Sequence, residues 1–329
     1  MVIRSSNSER VNAPRKCLTP GVWHPWTVKT GTAEHPSPRK CLAPKVSGTN
    51  ASVWRPLFLA VCLALLLLSC ATHNSLVMPL YTIESGEADK VESICIKIVL
   101  IADLHNDIYG TDQAVLIQKI KSVEPDLIFL AGDIVDDKQP IEGTRLLLEG
   151  IEGFAPTFYV TGNHEYMSRR YSIKTIRQEI QAYGVTILSD SYTKINIKGK
   201  ELLIAGVEDP FKKKYEDKTY DYKKAALKFL ELDEEADYTI LISHRPETIR
   251  LYPYFDLVVS GHAHGGQVII PKLLNGLYAP HQGFFPRYAG GRYQHGKQVH
   301  IVSRGLTVMR PRLPRIYNPP ELVVISCLF

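Results

Sequence analysis

The 329-residue chain has no Cys-x-x-C pair and no cysteine–histidine spacing of a zinc finger; its six cysteines, at 17, 41, 62, 70, 95 and 327, stand apart. It has no Walker loop to cradle nucleotide phosphates and no Gly-x-Ser-x-Gly elbow, so P-loop and serine-hydrolase chemistry have no support. No apolar run reaches the roughly 20 residues of a bilayer-spanning helix. The net charge of +5 is also not what it looks like. Residues 1–69 carry nine Lys/Arg against two acids, and the remainder carries thirty against thirty-two. The part that reads as folded therefore has no excess positive charge, and no nucleic-acid partner is expected. What remains is a chain with 45% hydrophobic residues, long enough for one large domain or two small ones.

Residues 1–52 show no strand or helix periodicity and are dense in Pro, Ser, Thr and basic residues. Pro14-Arg15-Lys16-Cys17-Leu18-Thr19-Pro20 recurs as Pro38-Arg39-Lys40-Cys41-Leu42-Ala43-Pro44, but two copies make no solenoid. This stretch is expected to be a non-native or disordered extension, with translation starting near Val53. Residues 53–70 fit a signal peptide: Arg55 flanks a short apolar run that ends Leu67-Leu68-Ser69-Cys70. That ending resembles the bacterial lipobox, whose cysteine is lipidated and becomes the first residue of the mature protein. A membrane-attached lipoprotein outside the cytoplasmic membrane is the expectation, and an uncleaved short anchor is the alternative. Residues 71–92 read as a polar tether and entry segment, and 93–329 as one domain, since no Pro/Gly linker divides it. Cys95 and Cys327 fall in the first and last strand-like runs. A disulfide is open to them in an oxidising compartment, although two small buried apolar residues are the simpler reading.

Within the domain, strand-like runs alternate with helical periodicity at first. Strands are expected at 96–102, 126–131, 157–160 and 185–188, with helices at 113–123, 141–154 and 172–183. A hairpin follows, 191–197 and 201–207 around Gly199-Lys200. Then come a helix at 222–232, a strand at 238–243, a short helix at 246–251 and strands at 256–260, 268–270, 298–303 and 321–326. The pattern predicts an α/β fold of two mixed sheets packed together and flanked by helices.

Five polar blocks stand out in this frame: Asp103-Leu104-His105, Gly132-Asp133, Gly162-Asn163-His164-Glu165, Ser243-His244 and Gly261-His262-Ala263-His264-Gly265-Gly266-Gln267. Four of them directly follow apolar runs, and Gly162-Asn163-His164 follows the shorter Phe158-Tyr159-Val160. Ligands at the C-terminal ends of several strands build a site along one sheet edge. Asp103, His105, Asp133, Asn163, His244, His262 and His264 offer carboxylate, imidazole and amide donors, which suit Mn, Fe or Zn; the lack of thiolates argues against a purely structural zinc.

In this order, Asp-x-His, Gly-Asp-x-x-Asp, Gly-Asn-His-Glu, a lone His after a strand and Gly-His-x-His resemble the calcineurin-like metallophosphoesterases, across roughly residues 96–329. The Gly-His-x-His-Gly-Gly-Gln form, with Pro319-Pro320-Glu321, is most similar to the bacterial envelope-directed branch, which usually has Thr where this chain has Ala263. The resemblance implies a four-layer α/β/β/α sandwich and two divalent ions. Asp103, His105 and His264 would hold one, Asn163, His244 and His262 the other, and Asp133 would bridge them. His164 would face the scissile phosphate, while Asp136 and Glu165 would orient ligands. The implied reaction is hydrolysis of a phosphodiester or pyrophosphate, its substrate an envelope lipid or nucleotide-sugar lipid among others. Its nucleophile would be a hydroxide bridging the two ions, because coordination lowers the pKa of water from 15.7 to about 7. The alternative is a non-catalytic envelope lipoprotein that uses the fold as a binding module.

Other residues have blander readings. Asp137 reads as a solvated loop acid, and His281, His295 and His300 as structural or exposed. Lys212-Lys213-Lys214, between Phe211 and Tyr215, is ordinarily a solvated loop, though it could meet anionic head groups. Of Arg287, Arg292, Arg310, Arg312 and Arg315, one or two are expected to reach substrate.

Overall fold

The chain is described here from a computed structural model covering residues 56–62, 75–85, 94–231, 235–308 and 314–329. The 1–52 extension, Cys70, Arg310 and Arg312 lie outside the described residues.

Two six-stranded sheets form the centre. The first has the order β1 (Leu80–Glu84), β14 (Val323–Leu328), β2 (Cys95–Ile101), β3 (Leu127–Ala131), β4 (Thr157–Val160), β5 (Thr186–Ile187). β2 to β5 run parallel, and β14 is antiparallel to β2. The second has the order β12 (Gly291–His295), β13 (Gln298–Val302), β9 (Leu257–Ser260), β8 (Tyr238–Ile242), β7 (Lys200–Gly206), β6 (Ser191–Ile197). Here β13, β9, β8 and β7 are parallel, and antiparallel strands close both edges. Both sheets are mixed, as the switch from crossover helices to hairpins in the sequence predicts.

Strand alternation sorts the apolar residues into three layers of core. Ile98, Leu100, Phe129 and Phe158 of the first sheet meet Leu202, Ile204, Ile240 and Val259 of the second. On the first sheet's other face, Val99, Ile101, Ile128 and Leu130 pack against α1 (Ala114–Val123), α2 (Glu142–Ile151) and α4 (Ile173–Ala182) through Leu116, Ile120, Leu147, Leu148, Ile176 and Ile180. The second sheet's outer face buries Leu203, Leu241 and Val258 against Ala226 and Ile249 of the helical turns at Tyr222–Leu227 and Pro246–Leu251, and against Tyr252, which follows the second turn. These are the four layers, helix, sheet, sheet, helix.

The structure departs from the sequence reading at several points. Part of the expected tether is β1, an edge strand paired parallel with β14; Val77 also bridges Glu321. Its partner is the last strand of the chain, which no local pattern reveals. The expected strand at 268–270 is only a pair of isolated bridges, Val268 to Ile316 and Ile270 to Leu274. The helix at 222–232 is α-helical to Leu227 and then tightens to a 3-10 turn over Lys228–Glu231. A small hairpin, β10 (Tyr278–Ala279) with β11 (Gly283–Phe284), has no counterpart in the sequence reading. Cys327 is buried, Cys95 is half-buried with its Sγ 3.1 Å from Ser326 Oγ, and both are free thiols. No described helix is long and apolar enough to cross a membrane.

Candidate metal centre

β2, β3 and β4 of one sheet and β8 and β9 of the other end at the same edge of the sandwich. Each of the five blocks is the turn that follows one of these strands. At three of the five the chain leaves the sheet in left-handed backbone: φ is 52° at Asp103, 51° at His105, 52° at Asp133, 68° at His262 and 46° at His264. Non-glycine residues held this way cost of order 1–3 kcal/mol each and persist only where surroundings over-determine them. Glu165, at the start of α3 (Asn163–Met167), supplies much of that restraint. Its carboxylate accepts from the amides of Gly162 (2.8 Å), Asp133 (3.0 Å), Ile134 (2.8 Å) and Val135 (3.0 Å). The amides of Asp103 and His105 donate to the carbonyls of Gly132 and Asp133, which ties the first block to the second. The His262 amide donates to both oxygens of Asp103, which ties the first block to the fifth.

Close approach needs glycine at two of these turns. A Cβ at Gly132, where φ is 81°, would stand 2.6 Å from His244 Nδ1. A Cβ at Gly261 would stand 2.7 Å from Asp103 Oδ2.

The turns bring six of the seven predicted ligands into two groups. Asp103, His105 and His264 form one group, and Asp133, His244 and His262 another, each with ligand atoms within 4.8 Å of one another and all buried. Asp133 Oδ2 lies between them, 3.2 Å from His244 Nε2, 3.7 Å from His105 Nε2 and 4.0 Å from His164 Nε2. His264 Nε2 is 3.6 Å from Asp103 Oδ1. His105 Nε2, Asn163 Oδ1 and His264 Nδ1 are buried without a hydrogen-bond partner. Buried polar atoms are rarely left so. Clustered lone pairs of this kind fit divalent metal ions, and the residues present suit them.

The electrostatics agree. Burial works to raise the Asp133 carboxyl, but His244 and His164 overcome it and hold it well below the usual range. Burial, with the Asp133 carboxylate adding to it and His244 opposing, raises Asp103 to about 6. Burial would depress the His244 imidazole, and the Asp133 carboxylate reverses that to about 10. His262 and His264 are held well below their ordinary value by burial, with His244 and His105 respectively adding to it. The centre therefore combines neutral imidazoles with a field that favours positive charge. His244 Nδ1 sits 2.8 Å from the Ala131 carbonyl, which fixes Nδ1 as the donor and leaves Nε2 toward the cluster.

His164 stands at the open side, 19% exposed. Its amide donates to Asp133 Oδ1 at 2.7 Å, and its Nδ1 lies 2.9 Å from Asp137 Oδ1. Burial opposes protonation of this ring, and Asp133 and Asp137 raise its pKa nonetheless. Asp137 is thus not the solvated loop acid expected from the sequence but the partner of His164. Asp136 reaches His105 Nδ1 at 3.4 Å. His281 is exposed, as the sequence reading allows, and in addition its Nδ1 lies 2.9 Å from His262 Nε2. It sits in the turn of the β10–β11 hairpin, so no motif in the sequence points to it. Ala263 turns away into the core of the second sheet. Arg315, expected among substrate-binding arginines, is fully buried and donates to the carbonyls of Thr307, Arg304 and Gly305. Arg292 donates to the Thr82 carbonyl, and Arg287 stacks over Tyr288.

Comparison with known proteins bears on the same residues. Residues 96–266, which hold four of the blocks and all of the fifth but Gln267, match the family described as calcineurin-like phosphoesterase. An uncharacterized metallophosphoesterase of Helicobacter pylori is 32% identical over 240 residues, covering 71% of this chain and 60% of the relative. One of Aquifex aeolicus is 28% identical over 253 residues, covering 75% of this chain and 89% of the relative. Among solved structures, NAD nucleotidase of Haemophilus influenzae is 15% identical with a TM-score of 0.45, covering 65% of this chain and 46% of that one. The match spans less than two thirds of the Helicobacter protein's length.

Proposed function

The chain belongs to the calcineurin-like phosphoesterase family, and from that premise we propose that it hydrolyses a phosphodiester or pyrophosphate with the help of two divalent metal ions. The observation that carries this reading is the position of Asp133. A single carboxylate oxygen within 4 Å of His244 and of His105 is placed to serve both groups of ligands at once. Asp103, His105 and His264 would hold one ion, and Asn163, His244 and His262 the other, with Asp133 shared. Such a pair supplies an activated water at neutral pH and neutralises charge on the phosphoryl oxygens.

The chain's own groups do the rest. Asp137 accepts from His164 Nδ1, which orients the ring and favours a proton on Nε2. That proton is available to a phosphoryl oxygen or to the leaving group, help typically worth about 10²–10⁴-fold. Glu165 acts through the backbone it holds, by keeping Asp133 and Gly162 in place.

The test is metal analysis of the full chain together with turnover of bis-p-nitrophenyl phosphate and of a panel of envelope pyrophosphate lipids. About two ions per chain and hydrolysis of at least one ester are expected. A firm stoichiometry of one would remove the binuclear reading. Full loading without turnover of any ester would leave the non-catalytic binding module.

The envelope location is a separate part of the proposal. It is supported by the basic flank, the short apolar run and the lipobox-like ending at Cys70. Stable anchoring takes more than one acyl chain, which bacterial lipoproteins carry on one cysteine. Tethering would favour a membrane-derived substrate. Mass spectrometry of the native protein decides the point: an unmodified Cys70 still joined to Ser69 would leave the uncleaved anchor.

A further inference from the structure

Between Leu257 and Pro320 the sequence has eight Lys/Arg and no Asp or Glu. This stretch contains the fifth metal-binding block and the β10–β11 hairpin beside it. It also carries some of the most exposed large apolar side chains of the described residues: Leu273 is 81% exposed, and Phe284 and Phe285 are each 69% exposed. Tyr278 packs edge-on against Phe284, with ring centroids 5.3 Å apart. Tyr278 and Phe284 are paired across the two-residue strands of the hairpin, and Leu273 and Phe285 stand in the turns beside it.

A second segment joins this one in space. Phe211 lies 5.9 Å from the His281 ring at the hairpin's turn. The short helix Lys212–Tyr215 follows it, with the Lys214 ammonium over the rings of Tyr215 and Phe211 at 4.9 and 5.9 Å. Lys212 is paired with Asp190, whereas Lys213 and Lys214 are exposed. The acids that follow are engaged: Glu216 binds Arg177, and Asp217 accepts from Thr219. Exposed apolar side chains thus stand beside lysines in both segments, and the two segments meet at His281, which contacts His262 of the metal centre.

We propose that the β10–β11 hairpin, Leu273, Phe285 and the Lys212–Tyr215 turn together form a docking surface for a bilayer containing anionic lipid, which seats the metal centre at head-group level. Apolar tips enter the boundary between head groups and acyl chains, while flanking lysines meet anionic head groups. A fluid interface needs no shape complementarity, which suits side chains protruding from a short hairpin and its neighbouring turns better than a flat protein partner would. The proposal deepens the envelope reading above and rests on it for its meaning, but it depends neither on lipidation of Cys70 nor on turnover.

The test is hydrogen–deuterium exchange of the full chain with vesicles of phosphatidylglycerol and phosphatidylcholine in equal parts, and with phosphatidylcholine alone. Protection of peptides covering 211–215 and 272–287 is expected with the anionic vesicles, to be lost at high salt and in K213E/K214E. F284S/F285S should lose the protection and keep the parent's turnover of soluble bis-p-nitrophenyl phosphate. Vesicle binding with protection confined to other peptides would overturn the proposal, as would equal protection by uncharged vesicles. Equal protection by soluble polyglutamate would give the surface to an acidic polypeptide instead. Because exchange is read without turnover, a catalytically silent protein that still docks would refute the hydrolase reading alone.

Discussion

His281 Nδ1 stands 2.9 Å from His262 Nε2, and the two rings stack with centroids 5.1 Å apart. Burial holds both imidazoles below their ordinary value, so both are neutral and one must donate to the other. A proton on His262 Nε2 leaves its Nδ1 lone pair toward His244 Nε2, 3.2 Å away, and the Asp133 group. Outer partners that fix a ligand's tautomer are typically worth about 10–100-fold in metal affinity. His281→Ala should weaken one class of metal site by about that factor in competition with a chelator. His281→Gln, whose carbonyl can accept the same hydrogen bond, should recover much of it. An unchanged isotherm in the alanine variant would place His281 outside the centre.

Removal of His164 and removal of Asp133 should have different consequences. His164 is at the rim, so His164→Ala should lower kcat by about 10²–10⁴-fold with the metals retained. Asp137→Asn should move kcat in the same direction by less. Asp133 lies between the two ligand groups, so Asp133→Ala should remove metal and activity together. Elemental analysis beside steady-state kinetics separates the cases. Loss of metal from the His164 variant would show that this histidine is a ligand.

Gly132 tests the cradle. Alanine there meets both a left-handed backbone and the His244 ring at 2.6 Å. The cost is about 1–3 kcal/mol for the conformation alone, and His244 must also shift. A lowered melting temperature together with loss of metal is expected of Gly132→Ala. A variant with full metal content would mean that the ring has room the structure does not show.

The candidate centre was legible because the residues it gathers sit where the local pattern is strongest. Each follows an apolar strand, and glycine marks the turns that approach most closely. Asp137 and His281 were not legible for the opposite reason. Nothing local separates Asp137 from Asp136, and only the path of α3 brings His164 onto Asp137. His281 is carried to His262 by a hairpin of two-residue strands, too short for any periodicity. β1 was missed because its pairing is with β14, at the far end of the chain. The 3-10 turn after Leu227 and the bare bridges of Val268 and Ile270 mark places where tertiary packing overrode the local preference of apolar residues.

Acid should destabilise the fold through a histidine that is not among the candidate ligands. His300 on β13 is fully buried, with its Nε2 3.1 Å from Ser260 Oγ. Burial, with His295 adding to it, pushes its pKa down from the ordinary value to about 3. The folded protein thus keeps the ring neutral, while the unfolded chain takes up a proton near the ordinary value of about 6.5. Below that pH the unfolded state binds more protons, so stability falls with pH at up to ~1.4 kcal/mol per unit, and the loss levels off near the folded value. Carboxylates contribute their own acid limb, so the informative quantity is the difference between parent and His300→Gln. Urea unfolding at pH 7 and pH 5 should show the parent losing about 2 kcal/mol more than the variant. Both proteins carry the same metal ligands, so metal release cancels in that difference. Parallel pH profiles would mean that His300 is charged, or reached by water, in the native protein.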